Sequence, residues 1–260
     1  MNYTLTQLKA GFNMPDIQIR LTPEPKTSAR STERRFFAWT AALITFFVFV
    51  GFSRTYYFHS WFGMPEPSVF LRIHGAVMSG WVVLFFAQTA LVSVDRVAAH
   101  RALGTFGAVY AALVVLLGSS ATVLSARREV RAHSDFVSSF LAVLALELTQ
   151  MLLFASLVGA AVWLRNRPSY HKRLMLLATL CMLPNVFVRL LLPLGVQSNI
   201  AFLSIWATLV LAIVLTDTLR NRKLHPAFGI GVTVVLASMY VAYFASRTPL
   251  WQHFAAGVVG

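Results

Sequence analysis

The chain has 260 residues, of which 57% are hydrophobic and only 12% are charged. Soluble domains carry about a quarter charged residues, so this composition excludes an ordinary soluble domain and indicates a membrane protein. The formal net charge of +13 would favour a nucleic-acid partner in a soluble protein. Here the basic residues cluster between apolar runs, and we expect no nucleic-acid binding. The single cysteine excludes a disulfide framework within the chain.

The chain opens with residues 1–35, a polar and basic segment that includes RLTPEPKTSARSTERR. This composition is typical of a mobile arm. We expect it in the cytoplasm, with its basic end against anionic headgroups at about 1 kcal/mol for each Lys or Arg near the surface. No cleavable signal peptide is recognised, so the first apolar run is expected to direct insertion.

Seven apolar runs follow, each close to the length needed to cross a hydrocarbon core about 30 Å thick. They are approximately residues 36–56, 71–94, 103–124, 137–164, 174–194, 200–215 and 227–244. We therefore predict an all-α bundle of seven transmembrane helices over residues 36–244, followed by a short outer tail over residues 245–260. Most Lys and Arg residues fall in connectors on one side, which the positive-inside rule places in the cytoplasm. This predicts an N-inside, C-outside protein of the bacterial cytoplasmic membrane, with the arginine-rich connector 126–136 outside against the rule.

Three connectors on the cytoplasmic side carry a basic residue followed by a histidine, namely His100, His171 and His225. The last two also share the letters LRNR, which indicates either a weak internal repeat of hairpins or chance. The histidines are either anchors at headgroup level, or three imidazoles at one depth that bind a transition metal or a cofactor. The neighbouring cations Arg101, Lys172 and Arg173 favour an anionic group, such as a lipid phosphate, a haem propionate or an acidic partner surface, over a bare metal.

Ionisable groups inside a span cost several kcal/mol unless they are paired, so they are functional candidates. His74 lies near the outer end of the second run, and Glu147 lies about 15 Å into the fourth run at 1.5 Å per residue. Gln150 shares the face of Glu147, and Asn185 shares the face of Arg189. We predict one polar seam from these residues, with Glu147 and Arg189 as a neutralising pair. The seam either fixes helix register or lines a proton path, a substrate cavity or a quinone pocket.

The fifth run contains two prolines, Pro184 and Pro193, in LPNVFVRLLLPLG. A proline inside a helix removes a backbone hydrogen bond and usually kinks the helix. In a membrane such breaks persist where neighbours or a cavity satisfy the freed carbonyl groups. We therefore expect the fifth span to be irregular.

Four phrases resemble an uncharacterised group of bacterial polytopic membrane proteins over roughly residues 51–178: FSRTYYF, the His74-Gly75 pair, HRALG and HKRLMLLA. More distantly, they look like predicted membrane proteins of the cytochrome-oxidase-assembly type. Transmembrane b-type cytochromes also place histidines near helix ends. The resemblance implies a haem or quinone connection at His74, His100 and His171. The chain departs from a bis-histidine cytochrome because His74 has no histidine partner at its depth in another span.

Two function classes follow. The first is a redox-linked protein, or an assembly factor for a respiratory complex, that binds haem, quinone or metal through His74, His100, His171 or His225. The second is a small-solute or proton-coupled transporter, or a non-catalytic partner subunit, in which the polar seam is central. We expect the lipid bilayer, anionic headgroups and other membrane subunits as partners. No catalytic residue is identified, since the chain has no glycine-rich phosphate loop, HExxH or GxSxG.

Overall fold

Every regular element is helical in the part of the chain that the computed structural model describes, residues 26–133 and 135–260, with side chains from residue 31. The elements are α1 (Lys26–Phe52) with a π-helical turn (Ser53–Tyr57), α2 (Val69–Ser93), α3 (Val97–Arg131), α4 (Val137–Trp163), α5 (Pro168–Leu180), α6 (Pro184–Leu191) with a 3₁₀ turn (Leu192–Leu194), α7 (Asn199–Asn221), α8 (Pro226–Ala245) and α9 (Pro249–Val259). The chain divides into two compact units, Met1–Glu33 and Arg34–Gly260, and the fold below is that of the second. The predicted arm lies outside the described residues as far as residue 25, whereas residues 26–35 begin α1.

Seven helical segments are long and apolar enough to cross a membrane, as an integral membrane protein requires. They are Ser31–Tyr57, Val69–Ser93, Val97–Arg131, Val137–Trp163, Pro168–Leu194, Asn199–Asn221 and Pro226–Ala245. The predicted all-α bundle of seven spanning helices is confirmed. Large apolar side chains lie exposed on the outside of the bundle, such as Val109 at 70% and Leu152 at 68%. Such a surface suits contact with lipid rather than with water.

The third span is longer than its apolar run. α3 has 35 residues, so at 1.5 Å per residue it is about 52 Å long and exceeds the thickness of a hydrocarbon core. Residues 126–131, which we assigned to a connector, belong to this helix. Alanine, arginine and glutamate all favour helix, so nothing in the arginine-rich stretch stops it before Arg131.

Consecutive spans run in opposite directions. The first turn of α5 contacts the start of α3, the end of α4 and the end of α7. We call this end of the bundle the histidine end, because it carries His100, His171 and His225, and we call the opposite end the α9 end. The hydrophobic core contains buried residues from each of the helices α1 to α8, and Phe154 of α4 and Trp206 of α7 are fully buried within it.

The fifth span is broken, as the two prolines predicted. α5 ends at Leu180 and α6 begins at Pro184. Neighbouring side chains bond the backbone carbonyls freed at the break, since Trp206 Nε1 donates to Leu180 O at 2.8 Å and Gln150 Nε2 donates to Cys181 O at 2.8 Å. The break is therefore fixed from two other helices.

The predicted tail contains a further helix, α9, which packs on the ends of α3 and α4. Trp251 Nε1 donates to Leu141 O at 2.7 Å, and Gln252 Nε2 donates to Ser138 O at 3.2 Å. A small apolar cluster joins these elements, formed by Ala126, Leu141, Leu144, Ala255 and Val259. Residues 249–259 thus cover the α9 end of the bundle on this side.

Candidate functional site

A cavity of about 60 Å³ lies beside the break in the fifth span. It is lined by Val143, Leu146, Glu147, Gln150, Pro184, Asn185, Val188, Asn199, Phe202, Leu203 and Met239. Its polar groups come from three helices, because Glu147 and Gln150 lie on α4, Asn185 on α6 and Asn199 on α7. Asn199 is exposed at the start of α7, whereas Gln150 is buried. The cavity has room for a few water molecules.

Glu147 is the charged residue of this cavity. Its Oε2 atom accepts a hydrogen bond from Thr122 Oγ1 of α3. No hydrogen bond to its other carboxyl oxygen is formed within the described chain. One oxygen is thus held by the protein, and the carboxyl group borders a space that can hold water.

Two amides continue the polar lining from Glu147 to the break. Asn185 Nδ2 lies 3.5 Å from Gln150 Oε1, at the limit of a hydrogen bond, and Gln150 Nε2 donates to Cys181 O. The structure therefore brings Glu147, Gln150 and Asn185 of the predicted seam around one cavity, and it connects them to the backbone of the broken span.

Arg189 lies on a neighbouring face of α6 and does not line the cavity. Its Nη1 atom donates to Asn185 O over 3.4 Å, and its guanidinium carbon lies 4.5 Å from the ring centroid of Phe52. The Nε atom is buried and has no hydrogen-bond partner. The side chain thus faces α1, where the hydroxyl of Thr55 is also buried without a partner.

The predicted ion pair between Glu147 and Arg189 does not form within the described residues. Thr122 bonds the carboxylate, and Phe52 and Asn185 contact the guanidinium. The two charges still interact electrostatically across the intervening space, and each also interacts with His74 of α2. His74 donates from Nδ1 to Leu117 O over 3.3 Å. His74, Glu147 and Arg189 are therefore neighbours without direct contacts between their side chains.

A buried ion pair that we did not predict lies near the histidine end. Arg173 of α5 binds Asp217 of α7 with two parallel hydrogen bonds of 2.9 Å, from Nε to Oδ2 and from Nη2 to Oδ1. Their side chains are only 3% and 1% exposed. Arg173 Nη1 also donates to Ser169 O, one turn earlier, at 3.0 Å. Asp217 lies two residues beyond the end that we predicted for the sixth run, so the sequence analysis did not count it among the ionisable groups inside a span.

His225 belongs to the surroundings of this pair. Its Nδ1 atom accepts from the backbone N–H of Ala227 and so caps the start of α8, while its Nε2 atom lies 2.8 Å from Ser169 Oγ. The ring also packs edge-on against Tyr170 at 4.6 Å. His225 therefore has a structural role at the junction of α5 and α8.

His100 and His171 form a separate contact, with their ring centroids 6.2 Å apart. The described residues contain no group of three or more His, Cys, Asp or Glu that could hold a metal ion. The three imidazoles of the histidine end thus do not converge on one metal site there.

Hydrogen bonds give these two rings complementary tautomers. His171 Nδ1 donates to Ala161 O at 2.9 Å, which leaves the lone pair of His171 on Nε2. Gln88, with its amide nitrogen towards His100, donates to His100 Nδ1 and accepts from Gly104 N. The proton of His100 is then on Nε2. Two axial ligands for one haem iron require two free lone pairs, and this pair, bonded in this way, offers one.

Of the groups of polar residues described above, the cavity around Glu147 is therefore the best candidate for a functional site. A carboxyl group beside space for water can take up and release a proton, while the adjacent amides offer donors and acceptors to a polar solute. No known protein family, curated protein or solved structure matches the chain, so these interpretations rest on its own residues.

Proposed function

We propose that the protein is a transporter that moves a small solute together with a proton, and that Glu147 carries the proton. The observation behind this proposal is the position of Glu147, whose carboxyl group borders a cavity that also contains the side chains of Gln150 and Asn185. Ionisable groups within a span are costly and usually face a pathway or a partner. Because Glu147 has no ion-pair partner in contact, a pathway is the better explanation.

The broken span supports transport as well. Transporters commonly build their sites from discontinuous helices, whose unwound backbone lines a cavity near the middle of the membrane. Here the break lies between Leu180 and Pro184, and the side chains that satisfy its carbonyls include Gln150, which also lines the cavity. A tilt of α6 would therefore change the shape of the cavity directly.

A flux assay tests the proposal. Purified protein would be reconstituted into liposomes that contain a pH-sensitive dye, and a panel of small solutes would be added outside. We expect one class of solute to acidify the interior, and we expect Glu147→Gln to abolish this acidification. Glu66→Gln is the matched control, because Glu66 is exposed, lies outside the spans and pairs with Arg72 at 2.8 Å.

Two results would contradict the proposal. One is acidification in Glu147→Gln at the rate of the unmodified protein, which would show that the proton travels elsewhere. The other is a complete lack of solute-dependent acidification across amino acids, organic acids, sugars and cations.

The redox or assembly function predicted from the sequence is a second candidate, and the contact between His100 and His171 is the observation that favours it. Haem binding there would require the ring of His100 to give up its hydrogen bond with Gln88. An absorption spectrum before and after reduction, with metal analysis, separates the candidates, because a Soret band that shifts on reduction would favour the redox function.

On the positive-inside rule we further propose that the bundle lies in a bacterial cytoplasmic membrane with its histidine end in the cytoplasm. The bilayer, its anionic headgroups and other membrane subunits are the proposed partners.

A further inference from the structure

The broken span carries one arginine on each half, and the two are bonded in related ways. Each donates from Nη1 to the carbonyl oxygen four residues earlier, Arg173 to Ser169 and Arg189 to Asn185. Arg173 then uses its Nε and Nη2 atoms together to bind the carboxylate of Asp217. A planar guanidinium matches a carboxylate along this edge, so Arg173 shows the complete arrangement.

Arg189 presents the same edge without a carboxylate. Its Nε atom is buried without a partner, and within the described residues its Nη2 atom makes no hydrogen bond either. The face of the guanidinium lies on Phe52. The cation is therefore held in place on one edge and one face, while the edge that binds carboxylates has no acceptor within the described residues.

An incomplete shell of this kind is costly in a membrane span. A buried donor without a partner loses its hydration and gains nothing in return, and a charge in a span is stable only when it is paired. The unpartnered Nε atom of Arg189 therefore indicates a ligand with an oxygen acceptor.

We infer that the Nε and Nη2 edge of Arg189 binds the carboxylate group of a small organic anion. That this anion is the transported solute rests on the proposed function. The carboxylate would take the position that Asp217 takes on Arg173, with two parallel hydrogen bonds and the Phe52 ring below the guanidinium.

This site would also be coupled to the proton on Glu147. Arg189 donates to the carbonyl oxygen of Asn185, which lines the cavity together with Glu147, so Glu147 and the anion would both place negative charge near the guanidinium. His74 is the other titratable group that interacts with this pair. Because two negative charges repel, neutral Glu147 favours the bound anion, and the bound anion favours protonation of Glu147 by the same factor. Proton and anion would therefore move together.

The test is a binding measurement that requires no transport. Thermal unfolding of the detergent-purified protein would be followed in sodium acetate and in sodium chloride at equal ionic strength. We expect acetate to raise the unfolding temperature above that in chloride, and the acetate affinity to fall about tenfold or more in Arg189→Gln. The acetate affinity of Arg189→Lys should be lowered similarly, since lysine keeps the charge and loses the planar edge.

Arg247→Gln is the matched control. Arg247 also donates from Nη1 to a carbonyl four residues earlier, Tyr243 O, and also lies over an aromatic ring, but it is exposed near the α9 end. It should keep the acetate effect of the unmodified protein.

Equal stabilisation by chloride and acetate would overturn the inference, and so would stabilisation by a short-chain phosphatidylglycerol but not by acetate. Acetate binding that depends on Arg189, without solute-driven proton entry above that in protein-free liposomes, would support this site and contradict the transport proposal. Proton entry that is driven by a neutral solute and is unchanged in Arg189→Gln would support the transport proposal and contradict this site.

Discussion

Replacing Asp217 by asparagine should destabilise the protein strongly, because it leaves Arg173 charged and buried. The two side chains are 3% and 1% exposed and share two hydrogen bonds of 2.9 Å. Removal of one partner from a buried ion pair costs about 3–5 kcal/mol, most of it from the charge that remains. We expect Asp217→Asn to lower the free energy of unfolding by this amount.

The assay is reversible unfolding in mixed detergent micelles with increasing sodium dodecyl sulfate. Glu66→Gln provides a control within the same protein, since it also breaks an ion pair with arginine. Glu66 and Arg72 are 67% and 52% exposed, and exposed pairs contribute about 0–1 kcal/mol. A double variant, Arg173→Met with Asp217→Leu, should recover most of the loss, because it removes both charges and fills the same space.

A cost of Asp217→Asn no larger than that of Glu66→Gln would contradict this prediction. A double variant less stable than Asp217→Asn would contradict it as well, since the loss would then come from packing rather than from the unpaired cation.

Two further predictions concern the packing of the spans. Gly75→Ala should cost about 1–3 kcal/mol in the same unfolding assay, because its new methyl group would lie 2.6 Å from Tyr56 Cζ. Gly159→Ala, whose methyl group would have nothing within 4 Å, should be neutral or slightly stabilising. Equal costs for the two variants would contradict the close contact at Gly75. Cys181, the single cysteine of the chain, is 0% exposed at the break, so a membrane-permeant maleimide should label it only after denaturation, and fast labelling of the native protein would show that the break is open to solvent.

The sequence predicts the bundle well because its main signal is local. A run of about 20 apolar residues needs no partner in order to be recognised, and the prolines mark the break at Pro184 by their own chemistry. The errors lie at helix ends, where the apolar signal stops before the helix does. α3 continues through charged residues to Arg131, and α7 continues to Asn221.

The site was less predictable because its contacts join residues far apart in the chain. Helical spacing groups Glu147 with Gln150, and both line the cavity. Spacing does not show that Thr122 bonds Glu147, or that Arg189 faces Phe52 instead of the carboxylate. Arg173 looked like one of several cations near a membrane surface, and its partner Asp217 is 44 residues away. An acidic residue so close to an apolar run was the available signal for that pair.

The unequal bonding of the two arginines has a mechanical consequence for the fifth span. Its α5 half is fastened to α7 by Arg173 and Asp217, whereas Arg189 gives the α6 half no such anchor. If the two halves move separately, the hinge is at residues 181–183, where the helix is already interrupted. The break would then be a hinge between a half that an ion pair anchors to α7 and a half that has no such anchor.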